Sequence, residues 1–226
     1  MKKKILILFL AICSLTFIAC GNKGLTLKDY IIEERQTLYT AQDDLYTASF
    51  SSGMRESNYS FDGVKNDMVE FGIICFARTD SKAMATDHYA YTLKINDQTY
   101  TGNLQQSELD SSYSADIQVC APANATVSVQ IDFTGYTFNK DMANTTAEFA
   151  VDHNKALDIA GKELKQSMKN LSADKNNKME AVMKIVKDTS TEDSHYYWYV
   201  GVVSTNGDVL GVLVDSTTGE IIAKKV

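Results

Sequence analysis

The period of apolar and polar positions changes several times along this chain, and each change marks an element. An apolar run at 5–19, broken only by Ser14 and Thr16, follows Lys2, Lys3 and Lys4. It falls short of the roughly 20 residues a membrane-spanning helix needs. Leu27, Ile31 and Leu38 then recur near helical spacing among Glu33, Glu34 and Arg35, which predicts a helix over 27–39. From 45 to 135 the pattern becomes short segments rich in Tyr, Val, Ile and Thr, separated by turn residues. It predicts strands at 45–54, 68–78, 89–95, 99–104, 112–119 and 126–134. Asn96-Asp97 makes the clearest hairpin of that region, because both residues tolerate a tight turn. A polar stretch at 139–146 ends the run.

Beyond it, Leu157, Ala160, Leu164, Met168 and Leu171 are spaced to share one face of a helix over 152–171, with Asp152 placed as its N-cap. Met179, Ala181, Met183 and Ile185 alternate with Glu180 and Lys184 as in a strand with one buried face. Strands at 196–204 and 208–215 meet through Asn206-Gly207, a strong two-residue hairpin signal, and a turn at 216–219 leads into 220–224. The expected fold class is α+β: an N-terminal all-β sandwich, immunoglobulin-like by strand count, followed by a small helix-on-antiparallel-sheet unit. The expected divisions are a leader at 1–19, a tether and short helix at 20–44, the sandwich at 45–146 and the α+β unit at 147–226.

Positive start, apolar middle and small residues before a cut site make 1–19 a secretory signal peptide. Phe17-Ile18-Ala19-Cys20 resembles the bacterial lipobox, in which a cysteine takes a diacylglyceryl group and becomes the new N-terminus; Phe17 stands where the family usually has Leu. The resemblance implies lipidation of Cys20 and a bilayer as first partner. Two or more acyl chains, at about 0.8 kcal/mol per buried methylene, hold a protein stably. The protein is therefore expected at the extracytoplasmic face of a cell membrane, lipid-anchored.

Cleavage there leaves about 200 residues, enough for one large domain or two small ones. The formal net charge of −7 becomes more negative once the three leader lysines are gone. An acidic surface repels phosphate polymers, so nucleic acid is excluded from the expected partners. Of four cysteines, Cys13 leaves with the leader and Cys20 is the lipid site, so Cys75 and Cys120 are the pair left for a disulfide, weighed evenly against two thiols.

Lys155-Ala156-Leu157-Asp158-Ile159-Ala160, Tyr199-Val200-Gly201-Val202-Val203 and the closing run Val214-Asp215-Ser216-Thr217-Thr218-Gly219-Glu220-Ile221-Ile222 resemble a PepSY domain over the last third of the chain. The resemblance implies a binding role of the kind proposed for such domains, inhibition or modulation of a peptidase. Independently of it, Asp215 and Gly219 suit a turn, one through its side chain and the other through a positive φ. Tyr196, Tyr197, Trp198 and Tyr199 form the densest aromatic cluster and a candidate binding surface, with Tyr196 and Trp198 on one face and Tyr197 and Tyr199 on the other.

Catalytic patterns are few. His88, His153 and His195 stand apart with no metal-ligand spacing, so no metal and no cofactor is expected. Asp87-His88 reads as a loop with no nucleophile beside it, and the four Asn-x-Ser/Thr matches are chance in an exported bacterial protein. The expected function is non-catalytic binding of an envelope protein or peptide. A small-ligand or glycan receptor acting through the sandwich is the alternative, and a hydrolase is third. Replacing Cys20 with alanine is expected to abolish firm retention in the particulate fraction. A variant retained as firmly, with its leader intact, would sink the anchor.

Overall fold

The computed structural model describes residues 26–80, 82–107, 111–188 and 195–226. They form thirteen strands and one α-helix, and all the strands belong to one sheet. The strands are β1 (Ile31–Gln42), β2 (Tyr46–Glu56), β3 (Met68–Arg78), β4 (Ala90–Ile95), β5 (Gln98–Asn103), β6 (Gln105–Gln106) and β7 (Tyr113–Ile117), then β8 (Val127–Phe133), β9 (Tyr136–Asn144), β10 (Met179–Lys187), β11 (Tyr196–Ser204), β12 (Val209–Asp215) and β13 (Ile221–Lys225). Helix α1 (His153–Leu171) lies between β9 and β10.

This overturns the expectation of a sandwich followed by an α+β unit. The fold is mostly β, and strands β1 to β9 curl into a nearly closed barrel. From β1 the order runs one way through β2, β3, β7 and β6, and the other way through β9, β8, β4 and β5. The two arms meet where Leu104 joins β5 to β6. The barrel interior is apolar, with Phe50, Ile74, Phe76, Leu93, Ile131 and Phe138 all buried. Strands β10 to β13 are not a second sheet; they continue the first one from the other half of β1. Helix α1 covers that extension, sealing Leu157, Leu164, Met183, Trp198 and Val212 into a second core.

The joint is β1, the segment predicted as a helix. Only Leu27–Tyr30 is helical, as one 3-10 turn whose start is tied by Thr26 Oγ1 donating to Asp29. Ile31 to Glu34 then pair in parallel with β10, and Tyr39 and Thr40 pair antiparallel with β9, while β2 borders nearly the whole strand. Being covered on both sides, β1 buries Ile31, Ile32 and Glu33 in succession, and it carries an extra residue where its pairing with β2 slips between Arg35 and Thr37. The slip breaks the two-residue alternation that would have marked a strand. β9 was missed for a different reason: among its polar residues only Phe138 and Met142 turn inward.

The α1 segment and the hairpins formed where their patterns placed them. Asp152 caps α1 by accepting from Lys155 N–H at 2.8 Å, and Asn96 takes a φ of 52° in the two-residue turn between β4 and β5. A long loop, 57–67, joins β2 to β3 and is pinned from beneath by two buried carboxylates. Glu56 accepts from Ser60 and Asn66 N–H, and Glu180 of β10 accepts from Gly63 N–H at 2.6 Å. Burial pushes the Glu180 carboxyl up, opposed by the Gly63 bond and reinforced by the nearby charge of Glu56.

The slip in β1 depends on Gly53 across from it. A Cβ there would run into the Glu34 carbonyl and come within 3.0 Å of Arg35 Cα, backbone atoms with no room to yield. Gly53→Ala is expected to cost about 1–3 kcal/mol in urea unfolding. A neutral result would mean that the change of partners along β1 does not need this close approach.

Candidate binding cleft

Where β10 leaves β1 and β9 replaces it, the sheet forks, and a cleft of about 680 Å³ opens on the outer face of the barrel. The floor follows from alternation. Ala48 and Phe50 of β2 point into the barrel, so Thr47, Ser49 and Ser51 point out. Register sets Leu38 opposite Ser51 and Thr40 opposite Ser49 on β1, and Ile73 and Cys75 opposite the same two serines on β3. The result is a shallow floor in which the hydroxyls of Thr40, Thr47, Ser49 and Ser51 lie among Leu38, Ile73 and Cys75. Ser51 is 8% exposed, and its Oγ has no hydrogen-bond partner among the described residues.

One rim is the 3-10 turn Thr145–Glu148, capped by Asn144 accepting from Ala147 N–H at 3.2 Å. This turn repairs the fork. Leu38 N–H, at the change of neighbours, donates to Thr146 Oγ1 at 3.4 Å, and Thr40 and Thr145 share a hydrogen bond of 2.8 Å between hydroxyls. Phe149 follows, its ring 5.8 Å from Tyr196 and edge-on to Trp198 at 5.6 Å. The other rim carries Ile185, Lys187, His195, Tyr196, Ser216 and Thr217. With Arg35 and Glu148 also lining it, the cleft mixes both signs of charge.

His195 is positioned by a turn. Its Nε2 lies 2.7 Å from Asp215 Oδ2, while Asp215 Oδ1 accepts from Thr217 and Thr218 N–H at 2.8 Å each. Gly219 closes the turn at φ 79°, donating to the Asp215 carbonyl at 3.0 Å. Burial alone would raise the Asp215 pKa, but the N–H groups of Thr218 and Thr217 and the His195 ring outweigh it and hold the carboxyl below its ordinary value of 3.8. The pair has the form of a base with its orienting acid. Here, however, the acid also fastens the turn that forms the cleft's rim.

The residues expected from sequence to matter lie apart. Cys20 falls outside the described residues. Cys75 lies on the cleft floor, on the outer face of β3, whereas Cys120 follows β7 near the exposed Glu70 and the buried Ser52; the two are not joined by a disulfide. Burial pushes the Cys120 thiol up. Of the aromatic cluster, Tyr196 faces the cleft and Trp198 is buried beside it, donating Nε1–H to the Val151 carbonyl at 2.7 Å. Tyr197 and Tyr199 occupy the opposite face, Tyr197 donating to Asp188 at 3.1 Å.

Comparison of the chain with family models, curated proteins and solved structures found no match. The site therefore rests on its own geometry. Among the described residues no group of three His, Cys, Asp or Glu is arranged to hold a metal ion, and no helix is long and apolar enough to cross a membrane. Asp87, beside His88, is committed to its loop, accepting from Thr134 N–H at 2.8 Å. His153 sits at the start of α1, 3.5 Å from Glu34.

Sequence reasoning missed Arg35, Ser49, Ser51, Phe149 and Lys187. The hydroxyl stripe at 47, 49 and 51, alternating with Ala48 and Phe50, was the available signal. Asp215→Asn is expected to cost about 1–3 kcal/mol near neutral pH by losing charged hydrogen bonds. The anion's contribution is complete above an unfolded-state value near 3.8 and disappears as pH falls through the lower folded value. The wild-type and variant urea midpoints should therefore converge in acid; a gap that is constant from neutral pH to below 3 would contradict the assignment.

Proposed function

We propose that this protein is a lipid-anchored, extracytoplasmic binding protein without catalytic chemistry of its own, whose cleft takes a peptide or an extended segment of an envelope protein. The cleft at the fork of β1 carries the reading. Its volume of about 680 Å³ lies within the range of roughly 300–1,000 Å³ typical of ligand pockets. The hydroxyl side chains of the floor leave room for a main chain to lie along the strands and hydrogen-bond. The aromatic rim of Phe149 and Tyr196 offers apolar contact, and Arg35, Lys187 and Glu148 offer anchors for charges of either sign. Modulation of a peptidase, the role implied by the PepSY resemblance, is one form such binding would take.

The same rim favours a second reading. Aromatic rings beside a row of hydroxyls and a buried, unpartnered Ser51 Oγ also suit a glycan, which stacks one face and hydrogen-bonds along its edge.

Ser49→Phe fills the floor without touching the barrel interior. It is expected to reduce recovery of partner from a membrane fraction by roughly tenfold or more, about 1.4 kcal/mol, with unchanged circular dichroism. Equal recovery would refute the cleft as the binding site. Trp198 is the single tryptophan of the chain and touches Phe149, so its emission reports on ligand entry. Saturable response to oligosaccharides, with none to peptides of the captured partner, would decide for the glycan.

A further inference from the structure

We propose that the loop 57–67 is a second membrane contact, laying Phe61 and Val64 on the phospholipid surface that holds the anchor. The inference rests on the lipid-anchoring reading and adds to it a face of the folded protein.

Tether length limits where that face can be. Gly21 to Leu25 are the only residues between Cys20 and Thr26, where the turn Leu27–Tyr30 begins. Fully extended, the steps from Cys20 to Thr26 span about 20 Å, less than the width of the folded part. Whatever lies beside the turn is therefore held within reach of the bilayer. The loop lies beside it: Lys65 Nζ is 3.3 Å from both the Lys28 and the Asp29 carbonyl oxygens.

The loop's composition and fixation support the contact. Phe61 is 50% and Val64 60% exposed, and Tyr59, 37% exposed, packs edge-on to Phe61 at 5.9 Å. Three of the eight exposed large apolar side chains among the described residues thus fall on one short loop, Phe61 and Val64 being among the most exposed of them. It is not a loose excursion, because Glu56 and Glu180 hold its backbone from below. Two carboxylates are kept in the interior, and the apolar side chains between their attachment points face out. Water is a poor environment for such a surface, and the headgroup and acyl boundary of a bilayer is a good one. Lys65, at the edge of the patch, suits anionic headgroups, while Lys28 is paired with Asp158 at 3.1 Å and the Asp62 carboxylate accepts from Ser60 Oγ–H and Val64 N–H within the loop.

The test uses the chain from Cys20 onward, with Cys75 and Cys120 replaced by serine, and one synthetic myristoyl chain coupled to Cys20. A single such chain gives only marginal partitioning, so a second contact is visible. Partitioning is measured by sedimentation with vesicles of phosphatidylcholine and phosphatidylglycerol. The double variant Phe61→Ser/Val64→Ser is expected to partition roughly tenfold more weakly, with unchanged circular dichroism. Ile222→Ser, which removes an equally exposed side chain on β13, is expected to leave partitioning unchanged. Equal partitioning of the double variant and the unaltered loop would overturn the proposal, as would an equal loss with Ile222→Ser. The synthetic chain makes this result independent of native processing. The mass of the native N-terminal peptide tests the Cys20 lipid separately.

Discussion

The structure depends on one strand having different neighbours along its two halves. The first half of β1 is held in parallel by β10 and its second half by β9, with β2 along the other side. Because a strand has only two edges, the switch requires β10 and β9 to diverge, and their divergence is the fork. Barrel, helix-covered extension and cleft are therefore not independent features. Ile31 contributes to the core under α1 and Tyr39 to the core of the barrel, so either core constrains the other through a strand of twelve residues.

The fork would leave polar backbone without partners, and the sequence supplies replacements. Thr146 takes the Leu38 N–H, Asn144 caps the short turn that carries Thr146, and Trp198 satisfies the Val151 carbonyl at the entry to α1. These bonds involve side chains because strand ladders are interrupted there, and unpaired buried backbone groups are costly. The cleft is lined by Leu38 itself and by near neighbours of these residues, Ala143, Thr145 and Glu148. On the opposite side of β1, Glu33 is almost fully buried and meets Arg35 at 2.9 Å and Lys184 at 3.9 Å, a charge kept inside only because cations accompany it.

What could be read from the chain was whatever local chemistry decides. Helix α1 was legible because its apolar stripe and the Asp152 cap agree, and the hairpins because local turn chemistry places them, although the Asn206-Gly207 turn has three residues, 205–207, rather than the two expected. β1 was not, since Leu27, Ile31 and Leu38 mimic a helical face while partners on both edges and the slip near Gln36 erase the two-residue period. Tertiary pairing outweighed propensity there. The continuity of the sheet was beyond local reading, because it rests on Ile31 meeting Ala181. The cleft was equally hidden: its lining comes from β1, β2, β3, β9, β10, the turn before α1 and the open end of the β11–β12 hairpin, and only Cys75, His195 and Tyr196 had been weighed as candidates.

The pairing of Ile31 with Ala181 also orders events in time. A chain emerging from its N-terminus presents the inner edge of β1 about 150 residues before β10 exists to cover it. Such a long closure is entropically slow. Until β10 arrives, an open strand edge faces the surroundings, the kind of template on which foreign strands add. Folding of this protein thus finishes at its beginning, and any delay in delivering the last quarter of the chain leaves its first strand exposed to misassociation.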